Sequence, residues 1–306
     1  MSEQPIVIAG GSGFIGNALA RHFVAQRRRV YVLTRRPRER TDGVREIRWD
    51  GEKPGEWGQC LAGAAAVINL TGRSINCRHT PENLGEIIGS RVHSVKAIAG
   101  VMAQSPQPPP VWVQASATGF YGDTGDRLCA ETAPNGRDRL AEVCREWETA
   151  FTSATLSATR RVVLRIGFVL GRESGALPVL ARLTRLFFGG SAGSGRQFIS
   201  WIHLADVVGM FAAAVASPAL TGTYNAVAPA PVTNAQFMRE LRQALHRPWS
   251  PPAPALAIKI GARFMGTEGS LALVGQRCSA QKILDTGFRF QFPELAPALH
   301  DLCRQA

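Results

Sequence analysis

No run of eighteen or more apolar residues occurs in the sequence, so a membrane-spanning helix is not expected. The first strand-like segment begins within a few residues of Met1 with no basic and apolar leader ahead of it, which points to a cytoplasmic protein. Six cysteines (Cys60, Cys77, Cys129, Cys144, Cys278, Cys303) stand without a Cys-x-x-Cys pair or Cys/His spacing. A zinc site or a disulfide framework is therefore not expected, and the thiols read as reduced and mostly buried. Acidic residues are scarce beside basic ones, 23 against 35, for a formal charge of +12. Such a surplus attracts nucleic acid, acidic membranes or a phosphate-bearing small molecule. The arginines crowd into 27–29, 33–40 and 45–48 with no interleaved aromatics and no helix-turn-helix, RRM or OB signature. Nucleic acid and membrane are thus not expected as partners, and a small phosphate-bearing ligand is the better reading, most of the arginines being ordinary solvated surface.

What is present is an alternation of strands and helices. IVIAGGSGFIG (6–16) opens with an apolar strand, turns through glycines and runs into the amphipathic ALARHFVAQ. Strands follow at 29–34, 45–49, 65–71 and 111–117, with a long helix over 81–104 closed by SPQPPP. RRVVLRIGFVLG (160–171) reads as one strand covered on both faces. This rhythm predicts an α/β, Rossmann-type doubly wound parallel sheet over 1–171, with sheet-completing segments up to about 228. After Gly171 helices and short strands predict a smaller, partly helical C-terminal lobe over 172–306, with about 248–306 as its terminal unit.

Gly10, Gly13 and Gly16 form a GxxGxxG turn between strand and helix. Missing side chains allow the tight turn and the approach of a pyrophosphate, and the helix tip offers free N–H groups to it. An NAD-binding chain usually keeps a carboxylate at the end of the second strand for the ribose 2′-hydroxyl. Here Thr34-Arg35-Arg36 stands there, and a hydroxyl with two guanidiniums suits a 2′-phosphate. The expected cofactor is NADP(H).

GGSGFIG, VLTRRP, VINLTG, IIGSRV, SATGFYGD and SWIHLADV together resemble the extended, epimerase-like branch of the short-chain dehydrogenase/reductase superfamily. SATGFYGDTGD with LAEVCREWE, GSGRQFISWIH, NAVAPAPVTNAQF and a GQR...GFRFQFPEL tail are similar to its atypical subgroup, the epimerase family proteins, which carry their own C-terminal domain. The resemblance implies cofactor contacts at the glycine turn (Gly10, Ser12, Gly13, Phe14, Ile15, Gly16), at Thr34, Arg35 and Arg36, at Leu70 and Thr71, at Glu86 and Arg91 of the long helix, and at Phe168 near the nicotinamide.

The resemblance also exposes a gap. Ordinary superfamily members use a strand-end Ser to hold a substrate oxygen and a Tyr-x-x-x-Lys pair to supply the proton. Ser116 takes the Ser place, but Leu140 and Cys144 stand where Tyr and Lys belong, a departure usual in the subgroup. None of the three tyrosines (Tyr31, Tyr121, Tyr224) is followed by lysine four residues on. Tyr121 is the nearest substitute donor in sequence, though a phenol with no evident cationic neighbour is a poor acid. Cys144 reads as an inert helix thiol and Glu142 as solvated. GGSAGSGRQ (189–197) fails as a Walker loop and reads as a substrate-side loop, while Asn69-Leu70-Thr71 is a glycosylation triplet on paper alone. His203 reads as a helix-start residue satisfied by Asp206. The leading expectation is an NADP(H)-dependent oxidoreductase or epimerase-like enzyme acting on a small carbonyl or hydroxyl compound. The rival is a non-catalytic NADP(H)-binding or redox-sensing protein; a nucleic-acid-associated protein rests on charge alone.

Overall fold

The computed structural model describes residues 4–264, 266 and 268–304. Short apolar runs such as Ile6–Ala9 (β1) alternate with amphipathic segments such as Phe14–Ala25 (α1), so each strand can be buried on both faces under helices. The order continues through Val30–Thr34 (β2), Val44–Arg48 (β3), Ala66–Asn69 (β4), Pro81–Gln104 (α2), Val111–Ala117 (β5), Leu128–Cys129 (β6), Arg139–Thr152 (α3), Arg160–Ile166 (β7), Phe168–Leu170 (β8) and Leu177–Arg185 (α4). It closes with Phe198–Ile199 (β9), Trp201–His203 (β10), Leu204–Ala216 (α5), Gly222–Ala226 (β11), Val232–Thr233 (β12), Asn234–Ala244 (α6), Ala255–Phe264 (α7), Arg277–Cys278 (β13), Gln281–Leu284 (α8) and Leu295–Cys303 (α9). Helix α2 starts where chemistry demands it: the Thr80 hydroxyl accepts from the Asn83 N–H, and Pro81 occupies a first-turn position that needs no donor.

Seven strands form one parallel sheet in the order β11-β7-β5-β4-β1-β2-β3. The chain reverses its direction of winding between β1 and β4, which opens a crevice beyond their carboxyl ends. The doubly wound sheet expected from the sequence is the one observed.

The single strand expected over 160–171 is instead two. At Gly167 the chain leaves the main sheet so that β8 can pair with β10, and a Cβ there would lie 2.2 Å from the Ser200 carbonyl oxygen. Only glycine permits that crossing. Beyond it Leu170, Leu177, Trp201, Phe237, Leu241 and Leu299 form a second apolar core, separate from the core around the sheet. The two regions are not cleanly divided, because Cys278, Ala280 and Ile283 return to the sheet's core and β13 pairs with β6. Asn225 on β11 fastens this return, donating to the carbonyls of Cys129 and Ser279. Among the described residues no helix is long and apolar enough to cross a membrane.

His203 caps α5, its Nδ1 accepting from the Ala205 N–H at 3.1 Å, and its ring stacks on Phe292 at 3.9 Å. Asp206 does not satisfy it as expected. Its carboxylate accepts instead from the backbone N–H groups of Gln291 (2.6 Å) and Phe292 (3.1 Å), while His203 Nε2 faces Asp301 at 3.4 Å. Burial pushes the His203 imidazole below its ordinary pKa, against the opposing charges of Asp206 and Asp301. As pH falls the unfolded chain, with an imidazole pKa of about 6.5, protonates first, so stability should decline below about pH 6.5 until the folded imidazole also titrates. Denaturation midpoints from about pH 7 to about pH 5 should show that slope, and His203→Asn should flatten it. His22, likewise lowered by burial, would retain its own share; an unaltered slope in the variant would assign the whole effect elsewhere.

Candidate cofactor and active site

The glycine turn sits against the loop that follows β4. Gly10 has φ +73°, and a Cβ on it would lie 3.0 Å from the Leu70 carbonyl carbon and the Thr71 nitrogen. Gly16 seats α1 on the same turn, since a Cβ there would fall 2.5 Å from Gly11 Cα. Gly13 is the N-cap of α1 with no side-chain cap and no acid in the first turn, so the N–H groups of Phe14, Ile15 and Gly16 lack intrahelical acceptors. Ser12 is exposed at the turn and its hydroxyl accepts from Thr34 at 3.3 Å, joining the ends of β1 and β2. Thr71 turns back through its N–H to Asn69 Oδ1 (3.0 Å), which is fixed in turn by buried bonds to Gln114 and Ser94. The Thr71 hydroxyl is itself buried with no partner among the described residues. A cradle closed to any β-carbon, an uncapped helix tip and an orphaned hydroxyl are the features a bound dinucleotide would satisfy.

Arg35 and Arg36 are exposed at the end of β2, and among the described residues no carboxylate lies within ion-pair distance of either. Neighbouring Arg40 contrasts with them, paired to Asp42 at 2.6 Å and to Glu46 at 3.2 Å. The two uncompensated guanidiniums leave a positive mouth where a phosphate would be welcome.

The remaining expected contacts divide. Glu86 is exposed and ion-paired with Arg73, which also donates to Asn83, placing it on the rim of the 70–73 loop. Arg91 donates to the carbonyls of Arg73 (2.9 Å) and Ile87 (3.0 Å) and lies 4.9 Å from the Trp147 ring, with burial lowering its pKa. Phe14 is a wedge between lobes, because a Cβ on Gly171 would come within 2.3 Å of its ring. Phe168 is half-buried, its ring set edge-on to Phe237 of the second core at 5.8 Å between centroids.

At the end of β5 the structure gives Ser116 a buried carboxylate partner. Ser116, Arg165 and Asn225 are register partners across β5, β7 and β11. Ser116 donates to Glu148 at 2.6 Å, and Glu148 is held in a two-point pair by Arg165 (2.9 and 2.8 Å). Burial opposes the Arg165 charge, but the bonds and charge of Glu148 overcome it and raise its pKa. Ser116 is 3% exposed, and its hydroxyl proton is engaged with Glu148. Two residues on, Thr118, 5% exposed, keeps a hydroxyl with no hydrogen-bond partner among the described residues and is a second candidate beside Ser116. Tyr121, read as lacking a cation, has one: Arg165 Nη1 donates to its phenol at 2.9 Å, and the phenol donates to Asn225 at 2.7 Å. Burial nevertheless pushes its pKa above the ordinary phenol value, so it is a poorer acid still.

Leu140 and Cys144 do share a face of α3, both 3.8 Å from a Cβ placed on Gly119. Burial pushes the Cys144 thiol up to about 12, against the nearby charge of Arg91. The 189–197 loop leads into a strand and is laced by Gln197 to the carbonyls of Ala192 and Ala272, so it carries no phosphate-loop geometry. All six cysteines are free, with Cys129, Cys144 and Cys278 buried. Among the described residues no group of three metal-binding side chains gathers.

Residues 6–227 match the NAD dependent epimerase/dehydratase family, and residues 253–302 match a domain of unknown function, DUF1731. The chain belongs to the NAD dependent epimerase/dehydratase family. Within it, the human epimerase family protein SDR39U1 is 34% identical over 301 residues, spanning 97% of this chain and 99% of the relative. The Arabidopsis thaliana SDR39U1 homolog, described as chloroplastic, is 34% identical over 303 residues, 97% of this chain and 86% of the relative. The crystal structure of human SDR39U1 (isoform 2) with NADPH superposes with a TM-score of 0.88 at 31% identity, covering 98% of this chain and 99% of that one.

Proposed function

We propose that this member of the NAD dependent epimerase/dehydratase family binds NADP(H) and acts as an oxidoreductase or epimerase-like enzyme on a small carbonyl or hydroxyl compound. The observation that carries the cofactor reading is the pair of uncompensated guanidiniums, Arg35 and Arg36, at the end of β2. It is supported by the cradle at Gly10 and the orphaned Thr71 hydroxyl, and by the related human protein having been crystallised with NADPH. Gly10, Ser12, Gly13, Phe14, Ile15 and Gly16 would hold the pyrophosphate through the turn and helix tip. Thr34, Arg35 and Arg36 would hold the 2′-phosphate, with Leu70, Thr71, Glu86 and Arg91 along the rest of the crevice. When bound, the reduced nicotinamide supplies a hydride. This chain's own part is to position the oxygen of the reacting group, for which Ser116 and Thr118 are the candidates, and to set a positive charge beside Cys144, where Arg91 stands in for the missing lysine.

A non-catalytic NADP(H) sensor is favoured by one specific observation: Ser116, Tyr121 and Cys144 are all withdrawn into burial, and none offers a mobile proton. Fluorescence titration should show NADPH binding at least about tenfold tighter than NADH, since a 2′-phosphate gains charge-assisted bonds. Binding of neither would remove both readings. Following reduced-cofactor absorbance across carbonyls and alcohols then separates them, with turnover that is lost in Ser116→Ala or in Thr118→Val supporting the enzyme.

A further inference from the structure

A second recess lies in the C-terminal lobe, away from the glycine turn and from the Ser116–Arg165 cluster, with no lining residue in common with either. It is an open recess of about 460 Å³ between α6 and the 249–252 segment, lined by Arg239, Arg242, Trp249, Ser250, Thr233 and Ser191 among others. That volume falls in the range of small-molecule sites, roughly 300–1,000 Å³.

Its walls are fixed by backbone. Gly190 lets the 251–252 segment pass so closely that a Cβ would lie 1.7 Å from the Pro251 oxygen. Ala192 donates to Asn234 Oδ1 at 2.7 Å and Ala253 to the Ser191 carbonyl at 2.8 Å. The recess is therefore already shaped, and a ligand would not have to organise it.

Its chemistry is one-sided. Arg239 is exposed and Arg242 half-buried, one helical turn apart, and among the described residues neither has a carboxylate within ion-pair distance. Arg242 Nη1 donates to the Gly189 carbonyl at 2.6 Å, which holds the side chain in place without neutralising it. Burial and the Arg239 charge together lower the Arg242 pKa, the mark of a cation lacking a counter-ion. The nearby Glu240 carboxylate is occupied in accepting from Gln236 at 3.0 Å. Ser250 is 5% exposed and faces the recess with a hydroxyl that has no hydrogen-bond partner among the described residues. That hydroxyl is free to donate to or accept from a ligand in the recess. Trp249 stands at the mouth 73% exposed, an apolar plane with nothing on it.

We propose that this recess binds a phosphate monoester carrying a flat ring, of mononucleotide size, with Arg239, Arg242 and Ser250 on the phosphate and Trp249 against the ring. Two guanidiniums and a hydroxyl match the oxygens of a dianion, and an indole face accepts an aromatic ring or an adjacent cation. The same phosphate chemistry could be presented by a lipid headgroup, so the test separates the two sources.

Adenosine 5′-monophosphate is titrated into the full chain by calorimetry, with NADPH at saturation so that the adenosine half of the first crevice is closed to it. Saturable binding is expected, weakened about tenfold or more in Arg239→Gln and in Ser250→Ala, each lost contact being a charge-assisted hydrogen bond. Arg239 is exposed and supports no other element, so its variant should fold and bind NADPH as the parent does. Binding that competes with NADPH and ignores Arg239→Gln would place the nucleotide in the first crevice and overturn the proposal. So would absence of binding at millimolar concentration. Phosphatidic acid vesicles form the second arm: capture by vesicles that is lost in Arg239→Gln, with no binding of the nucleotide, would assign the site to a lipid and overturn the nucleotide reading. If NADPH itself fails to bind, the cofactor reading falls alone, because the Arg239 and Ser250 variants still report on this recess.

Discussion

Arg35→Glu combined with Arg36→Glu is expected to lower NADPH affinity by about a hundredfold or more while leaving NADH within about threefold, because the change acts on the 2′-phosphate alone. Each guanidinium–phosphate contact is worth about 1.5–3 kcal/mol, and reversal adds repulsion to the loss. Both side chains are exposed and ion-paired to nothing among the described residues, so the fold should not register the change. Arg40, a few residues on, is the internal control: its charge is already spent on Asp42 and Glu46, and Arg40→Gln should shift stability more than selectivity. Parallel titrations of the two reduced cofactors decide the matter, and equal losses for both would show that the arginines do not read the extra phosphate.

The second large effect is on stability. Glu148→Ala is expected to destabilise the protein by about 3–5 kcal/mol, the penalty for stranding one partner of a buried ion pair. Arg165 would keep its charge with the Tyr121 phenol and the Glu131 carbonyl as its remaining partners, and Ser116 would lose its acceptor. Glu148→Gln keeps an acceptor for Ser116 and should fall between. Chemical denaturation of the two variants beside the exposed control Glu142→Ala measures this; a Glu148→Ala midpoint no lower than the control would mean that Arg165 finds another neutralising partner.

The contrast between these two sites shows what a sequence displays and what it conceals. The glycine turn, α2 and β5 are local matters of spacing, and 81–104 and 111–117 are helix and strand with the expected bounds. The cofactor mouth is equally local, with Thr34, Arg35 and Arg36 consecutive. The Ser116 cluster is assembled from residues distant in sequence: Ser116 meets Glu148 32 positions on, and Tyr121 meets Asn225 across 104. Periodicity carries no trace of such pairings. One signal was available, since an arginine inside the apolar run of a fully covered strand needs a buried carboxylate, and Arg165 stands in RRVVLRIGFVLG. The break at Gly167 was hidden for a related reason, because nothing in the run itself reveals that the Ser200 carbonyl will lie against it.

The return of the tail to the sheet bears on the order in which the molecule can be completed during synthesis. Translation delivers the glycine turn and β1 first, yet β11 is fastened through Asn225 to Ser279, and Lys282 donates to the Thr223 carbonyl. Gln291 and Phe292 close on Asp206 later still. A nascent chain on the ribosome thus exposes the edge strand of its nucleotide-binding half until residues 279–292 emerge, and contacts of such long sequence separation are those that form slowly.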